Sequence, residues 1–162
     1  MSKIVPTVIV SGFAGIGKTT LAKQFPNLFR DLESSDFHWI IDESGEKVVN
    51  PKWPANYIEA IKNLSNSGMY QAVFVSSHEL VRKEMAKAKI RYTNIYPVDT
   101  PEMKRVLMER YNRRKSPEEF ITNMDEHFSD YIKSMAEDKG ATGKLQLVPD
   151  ALTQWGTWCA YA

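Results

Sequence analysis

The chain of 162 residues contains 43% hydrophobic, 25% charged and 11% aromatic residues, a composition that excludes a disordered chain and predicts one folded domain over residues 1–162. Its 21 lysines and arginines nearly balance 20 aspartates and glutamates, which argues against a nucleic-acid or anionic-lipid partner. The single cysteine, Cys159, excludes an internal disulfide, and the N-terminal apolar run is too short to span a membrane. These features predict a cytoplasmic protein with no membrane partner.

Strand and helix patterns alternate along the chain. Short apolar, β-branched runs indicate strands, and apolar residues three and four positions apart indicate helices. Residues 40–54, with Gly45 and two prolines, are expected to be irregular. The alternation is typical of an α/β, three-layer fold with a five-stranded parallel sheet. In chain order, the patterns predict a strand at 7–10, a helix at 18–24, a strand at 27–32, a helix at 55–66, a strand at 72–76, a helix at 78–89, a strand at 94–98, a helix at 102–114, a helix after 117 and a strand at 145–148.

The last predicted helix has a clear start and a continuous apolar face. Ser116 fits an N-cap and Pro117 the first helical position, with acidic residues in the first turn. One apolar stripe is expected to pack this helix on the sheet, formed by Phe120, Ile121, Met124, Phe128, Tyr131, Ile132 and Met135.

The segment GFAGIGKT, residues 12–19, lies between the first predicted strand and the first predicted helix. This spacing of glycines, lysine and threonine in this context matches a phosphate-binding P-loop. Lys18 is expected to contact the β and γ phosphates of ATP, and the Thr19 hydroxyl is expected to coordinate Mg²⁺. The predicted nucleotide-binding residues are Gly12, Phe13, Ala14, Gly15, Ile16, Gly17, Lys18, Thr19 and Thr20.

Three arginines, Arg110, Arg113 and Arg114, follow the fourth predicted strand in the segment MERYNRR. Positions three and four apart share a helix face, so Arg110 can point with Arg113 or Arg114 at a triphosphate. Guanidinium groups bind phosphate oxygens in pairs and stabilise charge on a transferring phosphoryl group. The competing interpretation is that these charges only match the negative end of their helix.

An acidic segment, DLESSDFH, follows the second predicted strand and contains Asp31, Glu33 and Asp36. A loop of this composition is expected to supply a polar anchor for a substrate. Phe37 and His38, together with Trp39, are expected to form an aromatic wall beside it. The alternative is a turn capped by aspartate and serine side chains.

The arginine segment resembles the lid of P-loop kinases of the nucleoside monophosphate kinase group, which includes adenylate and thymidylate kinases. The resemblance implies a short helical lid at about residues 110–117, with Arg110 beside the nucleotide base or phosphates. It also implies that Arg113 or Arg114 contacts the transferred phosphoryl group, and that Arg82 holds an acceptor phosphate.

Two further segments carry resemblances. The acidic segment is similar to that of gluconate and shikimate kinases, which implies that Asp36 binds a substrate hydroxyl or water-coordinated Mg²⁺. The segments NPKWPANYIEAIKN and VFVSSHELVR resemble small P-loop kinases encoded by bacteriophages, which implies a phage origin. The strand end VFVSS lacks the aspartate of many P-loop ATPases, which argues against a hydrolytic motor.

The expected function is Mg²⁺-dependent transfer of the ATP γ-phosphoryl group to a small acceptor, a nucleoside or deoxynucleoside monophosphate. One alternative is a kinase of a hydroxyl, on a small metabolite or on a modified base in DNA, with Asp36 as general base. Another is a nucleotide-binding regulatory protein without turnover. In that case the aromatic residues Trp155, Trp158 and Tyr161 would form a docking patch; the preferred interpretation is that they pack on the core or on the nucleotide.

Overall fold

The strands form one parallel sheet and one separate hairpin in a computed structural model that describes residues 6–155. Five parallel strands make the sheet, in the order β2-β5-β1-β6-β7, and β3 pairs with β4 in an antiparallel hairpin. This confirms the predicted α/β class and five-stranded parallel sheet. In chain order the strands are β1 (Val8–Gly12), β2 (Phe29–Asp31), β3 (Trp39–Ile41), β4 (Lys47–Val49), β5 (Ala72–Val75), β6 (Thr93–Pro97) and β7 (Gly143–Leu147).

Helices connect the strands of the sheet. The start of α5 is fixed by Thr100, whose hydroxyl oxygen accepts from the backbone N–H of Met103, with Pro101 at the first helical position. A short 3₁₀ helix, Pro149–Ala151, follows the last strand. The helices are α1 (Lys18–Gln24), α2 (Ser35–His38), α3 (Ala55–Ser67), α4 (Glu79–Lys87), α5 (Pro101–Arg113) and α6 (Glu118–Ala136).

The two faces of the sheet carry separate hydrophobic clusters, because successive residues of a strand point to opposite faces. In β5, Val73 and Val75 belong to the cluster that contains buried residues of α3 and α4. Ala72 and Phe74 face the other way, into the cluster that contains buried residues of α5 and α6. The three central strands, β1, β5 and β6, are therefore buried on both sides, as their near-continuous apolar character requires, whereas the edge strands β2 and β7 are partly exposed.

The register of the strands brings three loops to one edge of the sheet. Phe29 of β2 and Val8 of β1 are both level with Ala72 of β5, and Asp31 is level with Phe74. The connections that leave the carboxyl ends of β1, β2 and β5 consequently emerge side by side. Crevices of this kind are where open α/β sheets bind ligands.

The structure corrects two predictions about the segment between β2 and α3. Residues 40–54 are not irregular throughout, because β3 and β4 form a hairpin around Gly45. Asp42 shapes the turn by accepting from the backbone N–H groups of Ser44 and Glu46. The acidic segment, expected to be a loop, contains the one-turn helix α2.

Two details of α6 also differ from the sequence patterns. Ser116 does not cap the helix; its hydroxyl oxygen accepts instead from Arg114 Nε at 2.8 Å. The sequence pattern includes Tyr131 in the apolar stripe, but 37% of its surface is exposed, and its hydroxyl forms a hydrogen bond with the side chain of Asn123. The other stripe residues pack against the core, since Met124, Phe128, Ile132 and Met135 are buried and Phe120 and Ile121 are partly buried.

Candidate active site

The loop between β1 and α1 has the backbone conformation that its glycines predict. Gly15 has φ +84° and Gly17 has φ +107°, both in the left-handed region that side chains disfavour. A Cβ atom at Gly15 would also lie 2.5 Å from Tyr111 Cε1. The tight turn therefore depends on glycine both for its dihedral angles and for the close approach of α5.

Three side chains hold the carbonyl groups of this loop. Tyr111 donates its hydroxyl to Ala14 O at 2.7 Å, and Arg110 Nη1 donates to Gly15 O at 2.9 Å. Trp155 Nε1 donates to the next carbonyl, Ile16 O, at 3.0 Å. Within residues 6–155, no backbone carbonyl accepts from the N–H groups of residues 14–20. The carbonyls are thus satisfied by protein donors, while consecutive N–H groups remain for an anion such as a phosphate chain.

Lys18 closes the loop by donating from Nζ to Gly12 O at 2.6 Å. Burial lowers the pKa of Lys18, and the positive charge of Arg114 lowers it further. The carboxylates of Asp31 and Glu33 act in the opposite direction. The ammonium group therefore lies within electrostatic reach of the acidic segment and of an arginine beyond the end of α5.

Thr19, the predicted Mg²⁺ ligand, is joined to the end of β2. Its hydroxyl donates to Asp31 Oδ2 at 2.7 Å, so a hydroxyl and a carboxylate lie together beside the phosphate loop. Residues 6–155 contain no cluster of three or more His, Cys, Asp or Glu side chains that could hold a metal on their own. This donor set fits Mg²⁺, which is usually bound through one or two protein oxygens, several waters and the phosphates of the substrate.

The acidic segment contains an interacting pair of carboxyl groups, Asp31 and Glu33. Partial burial raises the pKa of Glu33, and the charge of Asp31 together with a hydrogen bond to it raises that pKa further. Asp36, the residue preferred from the sequence, lies in the first turn of α2, where it is exposed. Glu33 is exposed as well, and of the three carboxyl groups it is Asp31 that contacts Thr19.

Phe37 and His38 are held in a column of aromatic rings. Phe37 packs on Tyr57, with ring centroids 5.2 Å apart. His38 lies between the rings of Trp39 and Trp53, at 4.4 Å from each. These residues do form an aromatic wall beside the acidic segment, but both faces of the imidazole are already covered by tryptophan.

Arg82 does not reach the phosphate loop. It is only 4% exposed, and its guanidinium donates to Ser77 O and to the carbonyl and hydroxyl oxygens of Ser134. The same group pairs with Asp138 Oδ2 at 3.0 Å. All three guanidinium nitrogens thus bind the protein itself, so the expectation that Arg82 holds an acceptor phosphate loses its basis.

The three predicted arginines line a cleft of about 780 Å³ with the phosphate loop. Arg114 lies over the rings of Tyr111 and Phe120, at 5.0 and 5.5 Å from their centroids, which supports its side chain by cation–π contacts. Arg114 and Lys18 both line this cleft, and the positive charge of Arg114 lowers the pKa of Lys18. The cleft is lined by Gly15, Ile16, Gly17, Lys18, Thr19, Thr20, Leu21, Gln24, Arg110, Arg113, Arg114, Leu152, Thr153 and Trp155.

The sequence left three site features unassigned: the Asp31–Thr19 contact and the roles of Tyr111 and Trp155. Asp31 and Glu33 are two positions apart at a strand end, a spacing that places side chains on one face and could have favoured them. No local pattern marks Tyr111 and Trp155, which are 97 and 139 residues from their partner carbonyls. Trp155 is 1% exposed and is therefore no docking residue, and Cys159, Trp158 and Tyr161 lie outside the described residues.

Comparison with known proteins gives the class of fold. No family profile and no curated protein matches this sequence. Among solved structures, the chain is similar to a gluconokinase from Sinorhizobium meliloti 1021, with a TM-score of 0.53 and 14% identity over 98% of this chain and 91% of that chain. An uncharacterized protein from Eubacterium ventriosum ATCC 27560 has a TM-score of 0.49 and 10% identity over 98% of this chain and 99% of that chain. The chain therefore has a gluconokinase-like P-loop fold.

None of the helices between residues 6 and 155 combines the length and the apolar character that crossing a bilayer requires.

Proposed function

We propose that this protein is a Mg²⁺-dependent kinase that transfers the γ-phosphoryl group of ATP to a hydroxyl group of a small acceptor. The observation that carries the proposal is the contact between Asp31 Oδ2 and Thr19 Oγ1 at 2.7 Å, which joins an acidic segment to a phosphate loop. The name of the similar S. meliloti protein, a gluconokinase, supports the same class of reaction.

The nucleotide phosphates would bind to the N–H groups of residues 14–20, while the carbonyls of Ala14, Gly15 and Ile16 accept from side chains of the protein. Lys18 would leave Gly12 O and bind the β and γ phosphates. The adenine base of ATP would lie in the cleft between Arg110 and residues 152–155.

Thr19 and Asp31 would hold Mg²⁺, directly or through water. When bound, the ion supplies positive charge to the phosphate oxygens.

The acceptor hydroxyl would give its proton to the carboxylate of Glu33 as its oxygen bonds to the γ-phosphorus. The bond from that phosphorus to the bridging oxygen of ADP breaks in the same transfer. The raised pKa of Glu33 suits this role, because a more basic carboxylate removes a proton more readily. Arg114, which lines the same cleft as Lys18, would stabilise the charge on the transferring group.

A hydroxyl acceptor is favoured over the nucleoside monophosphate that the sequence predicted. Arg82, the residue expected to bind the acceptor phosphate, is committed to Asp138 and Ser134. The acidic segment, where the acceptor would bind, contains the carboxyl groups of Asp31, Glu33 and Asp36. These groups would repel the phosphate group of a nucleoside monophosphate.

The test is a coupled assay of ADP formation with ATP, Mg²⁺ and separate panels of sugars and sugar acids, nucleosides, nucleoside monophosphates and hydroxymethylated DNA. We expect ADP formation that depends on an uncharged or weakly charged hydroxyl compound. The Lys18→Ala variant should be inactive, and Lys23→Ala, which removes an exposed lysine of α1, should match the wild type.

Each other outcome points to a different function. Turnover only with monophosphates would restore the sequence-based prediction and remove the base role of Glu33. Turnover only with DNA would select the modified-base alternative. ATP binding without turnover on any acceptor would contradict the kinase proposal and favour a regulatory nucleotide-binding protein.

A further inference from the structure

Tyr57, in the first turn of α3, places a hydroxyl group inside the protein next to the acidic segment. The side chain is 0% exposed. Its hydroxyl donates to Leu32 O at 2.7 Å and accepts from the backbone N–H of Ser76 at 3.1 Å. Leu32 lies between Asp31 and Glu33, and Ser76 directly follows β5. One hydroxyl group thus connects the start of the acidic segment to the neighbouring strand end.

The Tyr57 hydroxyl interrupts the hydrogen-bond ladder between β2 and β5. β2 and β5 pair in parallel, and their last backbone hydrogen bond runs from Leu32 N to Phe74 O at 2.9 Å. In a regular parallel ladder the next bond would run from Ser76 N to Leu32 O, since one residue bonds to two alternate residues of its partner. The Tyr57 hydroxyl stands between these two groups and bonds to both. It therefore acts as a wedge that separates the strands where the acidic segment begins.

The wedge is rigid because the Tyr57 ring is fixed by its neighbours. The ring packs on Phe37 at 5.2 Å and on Trp53 at 5.6 Å, measured between centroids. Asn56 Nδ2 also donates to Phe37 O at 2.9 Å, which ties α3 to the acidic segment a second time.

We propose that Tyr57 is a positioning residue: by separating Leu32 from Ser76, its hydroxyl sets the placement of Asp31 and Glu33 relative to Thr19 and Lys18. This inference rests on the proposed function, in which these two carboxyl groups serve the metal and the acceptor hydroxyl. Tyr57 itself touches no reacting atom in this scheme. Without the hydroxyl, the strands can close into a regular ladder or leave Ser76 N and Leu32 O unpaired, and either change moves the acidic pair.

The kinetic test uses Tyr57→Phe, which keeps the ring and removes the wedge. We expect kcat with the identified acceptor to fall roughly 10- to 100-fold, because small misplacements of reacting groups have effects of this size. The KM for ATP should stay unchanged.

Tyr92→Phe is the matched control. It also removes a hydroxyl from a buried tyrosine. The Tyr92 hydroxyl donates to Asp138 Oδ2 at a distance of 2.8 Å, and Asp138 is not part of the acidic segment. Both variants should lower the melting temperature, but only Tyr57→Phe should lower kcat while the KM for ATP stays unchanged. A fall in kcat no larger than the loss of folded protein would overturn the proposal.

Hydrogen–deuterium exchange separates this inference from the proposed function. Tyr57→Phe should change the exchange rates of the amides of residues 31–36 and of Ser76, and Tyr92→Phe should not. If the wild type has no acceptor-dependent turnover, the proposed function fails, and exchange still decides whether Tyr57 holds the acidic segment. Unchanged exchange in the Tyr57→Phe variant overturns the inference whatever the activity.

Discussion

The two sides of the candidate site are held by different kinds of contact. The nucleotide side is the loop of residues 12–20, where the proposed function places ATP. Its carbonyl groups accept from Tyr111 of α5 and from Trp155, which are 0% and 1% exposed. On the acceptor side, residues 31–36, the contacts join groups that titrate or reach solvent, such as Asp31 and Glu33. A substitution on the nucleotide side should therefore change nucleotide affinity, whereas one on the acceptor side should change kcat and its pH dependence.

The largest effect is expected for Glu33→Gln on the acceptor side. Loss of a general base lowers kcat by about 10²- to 10⁴-fold, while ATP affinity should stay close to that of the wild type. The raised pKa of Glu33 places the wild-type acid limb at higher pH than an ordinary glutamate would, and this limb should disappear in the variant. The measurement is kcat/KM against pH.

Glu43→Gln, at the exposed turn of the β3–β4 hairpin, is the control for the loss of one negative charge. It should leave the pH profile unchanged. If Glu33→Gln kept the acid limb, another group would be the base, and Asp36 would be the next residue to test.

Asp31→Asn should have the next largest effect. The amide oxygen can still accept from Thr19, but the negative charge beside the metal position is lost. We expect the Mg²⁺ concentration for half-maximal activity to rise by about 10- to 100-fold, the range found when groups that support metal ligands are changed. A Mg²⁺ titration at saturating acceptor measures it, with Asp36→Asn as the comparison. A larger shift in Asp36→Asn than in Asp31→Asn would reverse the assignment.

The sequence predicts the strand, loop and helix at residues 8–24 well because their determinants are contiguous, whereas Tyr111 and Trp155 are distant in sequence from the loop that they contact. Residues 12–19 contain the glycines, the lysine and the threonine at fixed spacing, and a strand and a helix flank them. The same local logic predicts the five strands of the sheet, whose apolar runs need no distant partner to be recognised.

The acceptor side depends on contacts that have no local signature. β3 and β4 have only three residues each, and Trp39, Ile41 and Val49 are exposed, so no burial pattern marks the hairpin. The spacing of Asp31 and Glu33 at a strand end offers a weak reason to prefer them, but the contact of Asp31 with Thr19 is visible only in the folded sheet. The sequence gives no sign that Arg82 is bound within the protein, because its partners, Ser134 and Asp138, lie more than fifty residues further along the chain.

On the nucleotide side, Tyr111→Phe should have a moderate effect. It removes the donor to Ala14 O and leaves the ring that packs on Phe120. The lost hydrogen bond corresponds to about 1 kcal/mol, or roughly fivefold weaker ATP binding, with kcat nearly unchanged. Isothermal titration with a non-hydrolysable ATP analogue measures it. The control is Tyr131→Phe, which removes a hydroxyl on the surface of α6 and should bind ATP like the wild type. A large loss of kcat in Tyr111→Phe would contradict the expectation that substitutions on the nucleotide side change affinity rather than kcat.

The smallest effect on turnover is expected for Arg82→Met. If Arg82 belongs only to its internal network, kcat and the acceptor KM should stay within about twofold of the wild type at temperatures where the variant is folded, a difference of under about 0.5 kcal/mol. Lys83→Met, on the exposed face of α4, is the control for a lost positive charge. A strong rise in acceptor KM in Arg82→Met alone would show that this residue binds the acceptor after all.

The stability of Arg82→Met should fall by about 2–3 kcal/mol, because Asp138 loses a charged partner at 3.0 Å. Burial alone would raise the pKa of Asp138, but hydrogen bonds from Asn94, Tyr92 and Arg82 outweigh it and hold that pKa below its ordinary value. A depressed carboxyl pKa stabilises the fold above the ordinary pKa of aspartate, and this stabilisation is lost as the pH falls through the folded-state value. The wild type should therefore lose more stability on acidification than Arg82→Met, and urea unfolding at neutral and acidic pH measures this difference. Equal losses in the two proteins would mean that the Arg82–Asp138 pair contributes no pH-dependent stability.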